Sequence, residues 1–196
     1  MTSILTGVFA SQISGHLFSG PTGSYDALAT VTVPSGGASS ITFSAIPQTG
    51  YKHLQIRALA REASGGSAGF QSTYVYFNGD TAANYSTHRI WGDGATAYSD
   101  GYGSTNIFVS GFPAGSGLTS GIFGVGVIDI LDYTNVSKNK TLRAIAGGDM
   151  NGSSGFISQG SGAWYNTSSI TSITLQSTNT GRNFAQYSQF SLYGVK

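Results

Sequence analysis

The chain contains no cysteine, so neither a disulfide nor a thiolate metal site is open to it. Small secreted domains commonly depend on disulfides. Their absence fits assembly in a reducing cytoplasm. Charge is scarce as well. Asp, Glu, Lys and Arg make up 9% of the 196 residues and the formal net charge is +1, against roughly 25% charged in an ordinary soluble domain. That balance gives no electrostatic basis for binding nucleic acid or an anionic membrane. It also leaves an isolated molecule little colloidal protection, which favours a surface partly covered by other subunits. Long apolar runs are missing: none approaches the ~18 residues of a membrane span. The opening "MTSILTGVFASQISG" has no basic n-region and no continuous apolar stretch, so no secretory leader is expected.

Helical periodicity is nearly absent too. What recurs is alternation with period two, broken by Gly, Ser, Asn and Asp. "DALATVTV" alternates Ala27, Ala29, Val31 and Val33 with polar residues. After the turn Pro34-Ser35-Gly36-Gly37, "SITFSAI" places Ile41, Phe43 and Ala45 on one face. In "YKHLQIRALARE" Leu54, Ile56, Ala58 and Ala60 share one face. His53, Gln55, Arg57 and Arg61 share the other, with Leu59 the exception. "STYVYFNGD" runs into Asn78-Gly79, a strong turn signal. "NYSTHRIWGDG" follows. "GIFGVGVIDILDY" is long and apolar and is expected to be a central strand covered on both faces. "KTLRAIAG", "ITSITLQS" and "NFAQYSQFSLYGV" complete nine or ten strands. The expected fold is all-β, a jelly-roll-like antiparallel β-sandwich over residues 25–196.

The last strand is expected inside a sheet, beside an early strand. Phe184, Phe190 and Leu192 are assigned to a core-facing side, and Tyr187 and Tyr193 to a side that would meet another subunit. Residues 1–24 differ from the rest. They carry Ile4, Leu5, Val8, Phe9, Ile13, Leu17 and Phe18 with no Asp, Glu, Lys or Arg, and end in the linker Gly20-Pro21-Thr22-Gly23. We read them as an arm that docks on a partner.

No catalytic constellation stands out. Three histidines (His16, His53, His88) and abundant serines are present, but no G-x-S-x-G elbow and no P-loop or GxGxxG between strand and helix. Asp129 and Asp132 are three apart in one strand and so would face opposite ways, which is wrong for a convergent glycosidase pair. Asp129 is expected to pair with Arg143. "DMNGSSG" (149–155) starts like a calcium loop but lacks its later carboxylates and reads as an Asx-type turn. Tyr74, Tyr76, Tyr98, Tyr102, Trp91 and Trp164 could stack on sugars, although strand aromatics more often form core or cross-strand pairs. The N-x-S/T matches at Asn84, Asn135, Asn139, Asn151 and Asn166 are chance in a chain this rich in Asn, Ser and Thr. No enzyme activity, metal or cofactor is expected.

Several segments together resemble a known group. "SQISGHLF", "GSYDALATVTVPSGGASSITFSAIP", "YKHLQIRALAR", "FNGDTAANYSTHRIWGDG", "GVIDILDYTNVSKNKTLRAIAG" and "FAQYSQFSLYGVK" are similar to virion proteins of tailed bacteriophages, notably cyanophages. The resemblance implies a β-sandwich structural module on the particle, commonly a homotrimer, with no catalytic residues to carry over. Such modules occur as capsid decorations and at fibre tips. The first role would have the body trimerise and residues 1–24 clamp the major capsid protein lattice on the outer capsid surface. The alternative is a tail-fibre tip that binds host surface glycan.

Overall fold

The computed structural model describes residues 23–66, 69–150, 155–178 and 181–196. The expected arm residues, Ile4 to Phe18, and most of the 149–155 turn lie outside them. Twelve strands and, among the described residues, no helix make up the fold: β1 (Tyr25–Thr32), β2 (Ser40–Phe43), β3 (His53–Ala60), β4 (Phe70–Phe77), β5 (Tyr85–Gly92), β6 (Ala97–Ser104), β7 (Ile107–Ala114), β8 (Gly124–Leu131), β9 (Lys140–Asp149), β10 (Gly155–Trp164), β11 (Ile173–Ser177) and β12 (Gln189–Val195). They form two sheets, ordered β1-β12-β3-β8-β9-β10-β5-β6 and β2-β11-β4-β7. Every strand pairing in both is antiparallel. The chain changes sheet at every step from β1 to β5, again from β6 to β8, and again from β10 to β12. The hairpins β5–β6 and β9–β10 widen only the larger sheet.

Alternation builds the core. Leu54, Ile56, Ile128, Ile130, Leu142, Phe190 and Leu192 of the large sheet are buried. So are Ile41, Phe43, Val75, Phe77, Ile107, Val109, Ile173 and Leu175 of the small one, and all belong to one apolar cluster. Strand β7 lies under β8, β9 and β10. Glycines on the inner face let its side chains approach. A Cβ at Gly126 would fall 2.7 Å from the Phe112 ring, and one at Gly162 would fall 2.3 Å from Ile107. Asn78 and Gly79 both have positive φ, 53° and 68°, the turn geometry their pairing in sequence implies. The β8–β9 turn is closed by Lys140, a buried residue whose ammonium donates to the carbonyls of Asn135, Lys138 and Thr167. Burial lowers its pKa.

The C-terminal strand does sit between two early strands, with β1 on one side and β3 on the other. Other expectations need correction. The described residues form twelve strands rather than nine or ten. The unforeseen ones, β6, β7 and β10, contain Gly or Pro that read as breakers. Phe184 and Tyr187 precede β12 rather than belonging to it; Tyr187 has φ of 71° in the turn before the strand. Ala45 lies beyond β2, exposed at φ 52°. Asp132 lies past the end of β8, where Lys138 pairs with it. Most consequential, β8 is central but covered on one face only. Gly124, Gly126, Ile128 and Ile130 point inward, while Val125, Val127 and Leu131 are exposed.

Candidate functional site

The outward side of the large sheet is organised in rows across the strands. One row runs Leu59, Val125, Gly147, Ile157 and Gly92 over β3, β8, β9, β10 and β5. The next runs Arg57, Val127, Ile145, Gln159 and Ile90 over the same strands. Six aliphatic side chains therefore stand together in solvent: Ile157 is 67% exposed, Ile145 and Ile90 58%, Val125 53%, Leu59 43% and Val127 38%. A half-exposed aliphatic residue alone is ordinary; a contiguous band of them marks a contact surface. Ile145 and Ile157 rise as a ridge between two shallow grooves. The one on the β5–β6 side, of about 670 Å³, is also bordered by Ile90, Ala97 and Ser99. The one on the β8 side, of about 430 Å³, is bordered by Val125 and Val127.

A polar row adjoins the apolar band. Gln55, Asp129, Arg143, Ser161 and His88 lie in register across the same strands. Arg143 Nε donates to Asp129 Oδ2 at 3.0 Å, the pair expected from the sequence. Gln55 Nε2 donates to Asp129 Oδ1 at 2.7 Å, and Arg57 Nε to Gln55 Oε1 at 2.8 Å. The Arg57 guanidinium also lies over the rings of Tyr193 (4.9 Å) and Tyr25 (5.4 Å). Tyr193 is thus half-buried at the border of this face. Tyr187, 69% exposed, sits in the turn before β12, so the two tyrosines read as interface residues from the sequence do not share one strand face.

A second cluster lies on the inward side of the β5–β6 hairpin. Arg89 is held between the rings of Trp91 (4.3 Å) and Phe108 (4.2 Å). Its Nε and Nη2 donate to the two oxygens of Asp100, each at 2.7 Å, and Nη1 donates to Ser110 Oγ. The bond from Arg89 holds the Asp100 carboxyl below the usual carboxylate range. Trp91 stacks on Tyr98, and Phe108 meets both Tyr74 and Tyr102 edge-on. Four of the six side chains considered for sugar stacking (Tyr74, Tyr98, Tyr102 and Trp91) therefore gather here, around rings whose cation is the chain's own Arg89, and Tyr76 meets Tyr74 edge-on at their margin. Trp164 is elsewhere. It is buried, stacked on Tyr85, and its Nε1 donates to Asp80 Oδ2.

Among the described residues, no convergent acid–base set accompanies these surfaces. Glu62 is fully buried, bound by Arg182 and Ser177. Nδ1 of His53 accepts the Asp132 backbone N–H, and His88 lies exposed four strands away on the outer face. Among the described residues no group of three His, Asp, Glu or Cys could hold a metal ion, and no helix is long and apolar enough to cross a membrane.

The apolar band was not foreseen from the sequence. Its signal is present in "GVGVIDIL", where glycines fill the inner positions and valines the outer ones, the reverse of a core-facing strand. The register that aligns Val127 with Ile145 and Ile157 with Gly147 is a tertiary fact. Compared with known proteins, the chain matches no protein-family model, no curated protein and no solved structure.

Proposed function

We propose that this chain is a structural subunit of a virus particle, a capsid decoration or cement protein of a tailed bacteriophage. In this reading it forms a homotrimer, sits on the outer capsid surface and grips the major capsid protein through residues 1–24. It performs no catalysis and needs no cofactor. The observation that carries the reading is the exposed apolar band of Leu59, Val125, Val127, Ile145, Ile157 and Ile90 on a chain with only 9% charged residues. Such a surface is stable in a static assembly and a liability on a free monomer. The resemblance to phage virion proteins supplies the particle and the number three. The strand orders β1-β12-β3-β8 and β2-β11-β4-β7 support reading the sandwich as a jelly roll carrying two inserted hairpins.

A second reading, a tail-fibre tip binding host glycan, is favoured by one feature: Tyr98, 44% exposed, presents ring surface beside Trp91, and Tyr102, 37% exposed, does so beside Phe108. Antibody labelling of intact particles separates the two. Signal over heads is expected. Signal confined to tails would favour the fibre tip, and particles without signal would overturn both.

A further inference from the structure

We infer that the apolar band on the outer face of the eight-stranded sheet is the surface through which copies of this chain meet, with the ridge of Ile145 and Ile157 in one copy seated against a flanking groove of the next. This rests on the reading of the chain as an oligomeric subunit and assigns that oligomer its interface.

Three observations select a second copy as the occupant. The first is electrostatic. The charged groups at the band are Arg57, Arg143, Asp129 and Asp149, the last lining the β8-side groove, with His88 beside them, and Asp129 is already paired with Arg143. The face is close to neutral, as is the whole chain at +1, so copies approach without the like-charge penalty that excludes wrong partners. The second is shape. A ridge with a groove on each side carries both halves of a complementary contact on one surface, which is what self-association requires. The third is extent and composition. Eight strands spaced ~4.8 Å apart, each about eight residues long, present a face of roughly 34 by 23 Å. That is commensurate with the ~800 Å² per partner of a standard interface. Aliphatic residues occupy its middle, interrupted by Gln159, while Gln55, Arg57, Asp129 and Arg143 border them on one side, close to the apolar-core and polar-rim arrangement of protein interfaces. Tyr193, under Arg57 at the border, would lie in that rim.

The absence of cysteine makes the test direct, because any introduced thiol is the only one in the chain. The full-length chain is measured by sedimentation equilibrium beside Ile145→Asp, Ile157→Asp and the strand-compatible Ile157→Thr, with circular dichroism checking each fold. Wild type is expected to be oligomeric. Either Asp variant should raise the dissociation constant roughly 30-fold or more, and the Thr variant should do so by less. Independently, the thiol of Ile157→Cys should be protected from alkylation in the oligomer and react on dilution. That of Val136→Cys, at a residue equally exposed in the single chain (67%), should react freely throughout. An oligomer whose mass is unchanged by Ile145→Asp and Ile157→Asp, or a thiol at position 157 that reacts as fast as one at 136, would overturn the inference. So would Asp variants that keep the oligomer but no longer bind particles, because the band would then face capsid protein. A monomeric wild type that still decorates heads would leave the capsid role standing but overturn this interface and the homotrimer with it. An oligomer with a protected thiol that binds no particle would do the reverse.

Discussion

At the scale of single residues, two carboxylates are committed to structure. Glu62 has no exposed surface, and its oxygens receive Arg182 Nη1 at 3.0 Å and Ser177 Oγ at 2.8 Å. Removing one member of a buried pair strands the other. Glu62→Ala is therefore expected to cost ~3 kcal/mol, at the lower end of that class because Arg182 remains 25% exposed, and urea unfolding measures it. Asp80 gathers the Ala82 N–H, Asn84 Nδ2 and Trp164 Nε1. Those hydrogen bonds, the Ala82 N–H foremost, pull its pKa below the ordinary 3.8. A carboxyl whose folded pKa lies below its unfolded value adds stability above the unfolded value and loses it as pH falls through the folded one. The contribution is thus complete at neutral pH and disappears below about pH 4. Asp80→Asn should lower the melting temperature at pH 7 and flatten its fall between pH 4 and 2. An equally steep fall in the variant would show that Asp80 does not carry this acid sensitivity.

Among the elements, the β5–β6 hairpin depends most on one side chain. It extends the large sheet beyond β10, and β6 is an edge strand with no partner on its outer side among the described residues. Arg89 ties it inward through Asp100, Ser110 and the rings of Trp91 and Phe108. Bidentate, stacked arginine is not replaceable by lysine. Arg89→Lys should accelerate amide exchange across β6 while β3 and β12 keep their protection, as local rather than global opening requires. Exchange that rises equally in all strands would refute the pin. The hairpin also shows where sequence reading stops. β3 and β8 were legible as strands because their aliphatic residues alternate, and β12 was placed beside an early strand. β6, "AYSDGYGS", has no aliphatic residue larger than alanine, and β10 holds Gly155, Gly160 and Gly162. Propensity counts those glycines against a strand. Gly162 is there because the facing sheet brings Ile107 into the space a side chain would need. The same exchange of inner volume for glycine made β8 look two-sided: its valines face out and its glycines face Phe112 and Phe70. The Asp129–Arg143 pair was legible because both strands were. The apolar band was not, because it is assembled from five strands whose register no local pattern fixes.

For the whole molecule, the proposed assembly divides labour between the sandwich and the segment before it. The outer face of the large sheet holds copies together, and residues 1–24 hold the particle. The segment's Ile4, Leu5, Val8, Phe9, Ile13, Leu17 and Phe18 contribute roughly 1.5–3 kcal/mol each when fully buried against a partner. Fixing each backbone residue costs about 1–2 kcal/mol. Apolar contact alone therefore does not anchor one arm, and backbone hydrogen bonding to the lattice, for which strand addition is one route, has to join it. Linking several arms through an oligomeric body then multiplies a modest single-arm affinity, since each bound arm raises the effective concentration of the others. Two outcomes follow. Deleting residues 1–22 should leave the β circular dichroism and the oligomer mass intact, because the truncated chain keeps every strand from β1 at Tyr25 to β12, while particle binding is lost. Ile157→Asp in the full-length chain should keep the arm but reduce occupancy on heads by about tenfold or more, the penalty of returning from linked to single attachment. Both variants are measured by decorating particles stripped of the protein and counting bound copies. Wild-type occupancy by the truncated chain would place the anchor in the sandwich, and wild-type occupancy by a monomeric Ile157→Asp would show that one arm suffices.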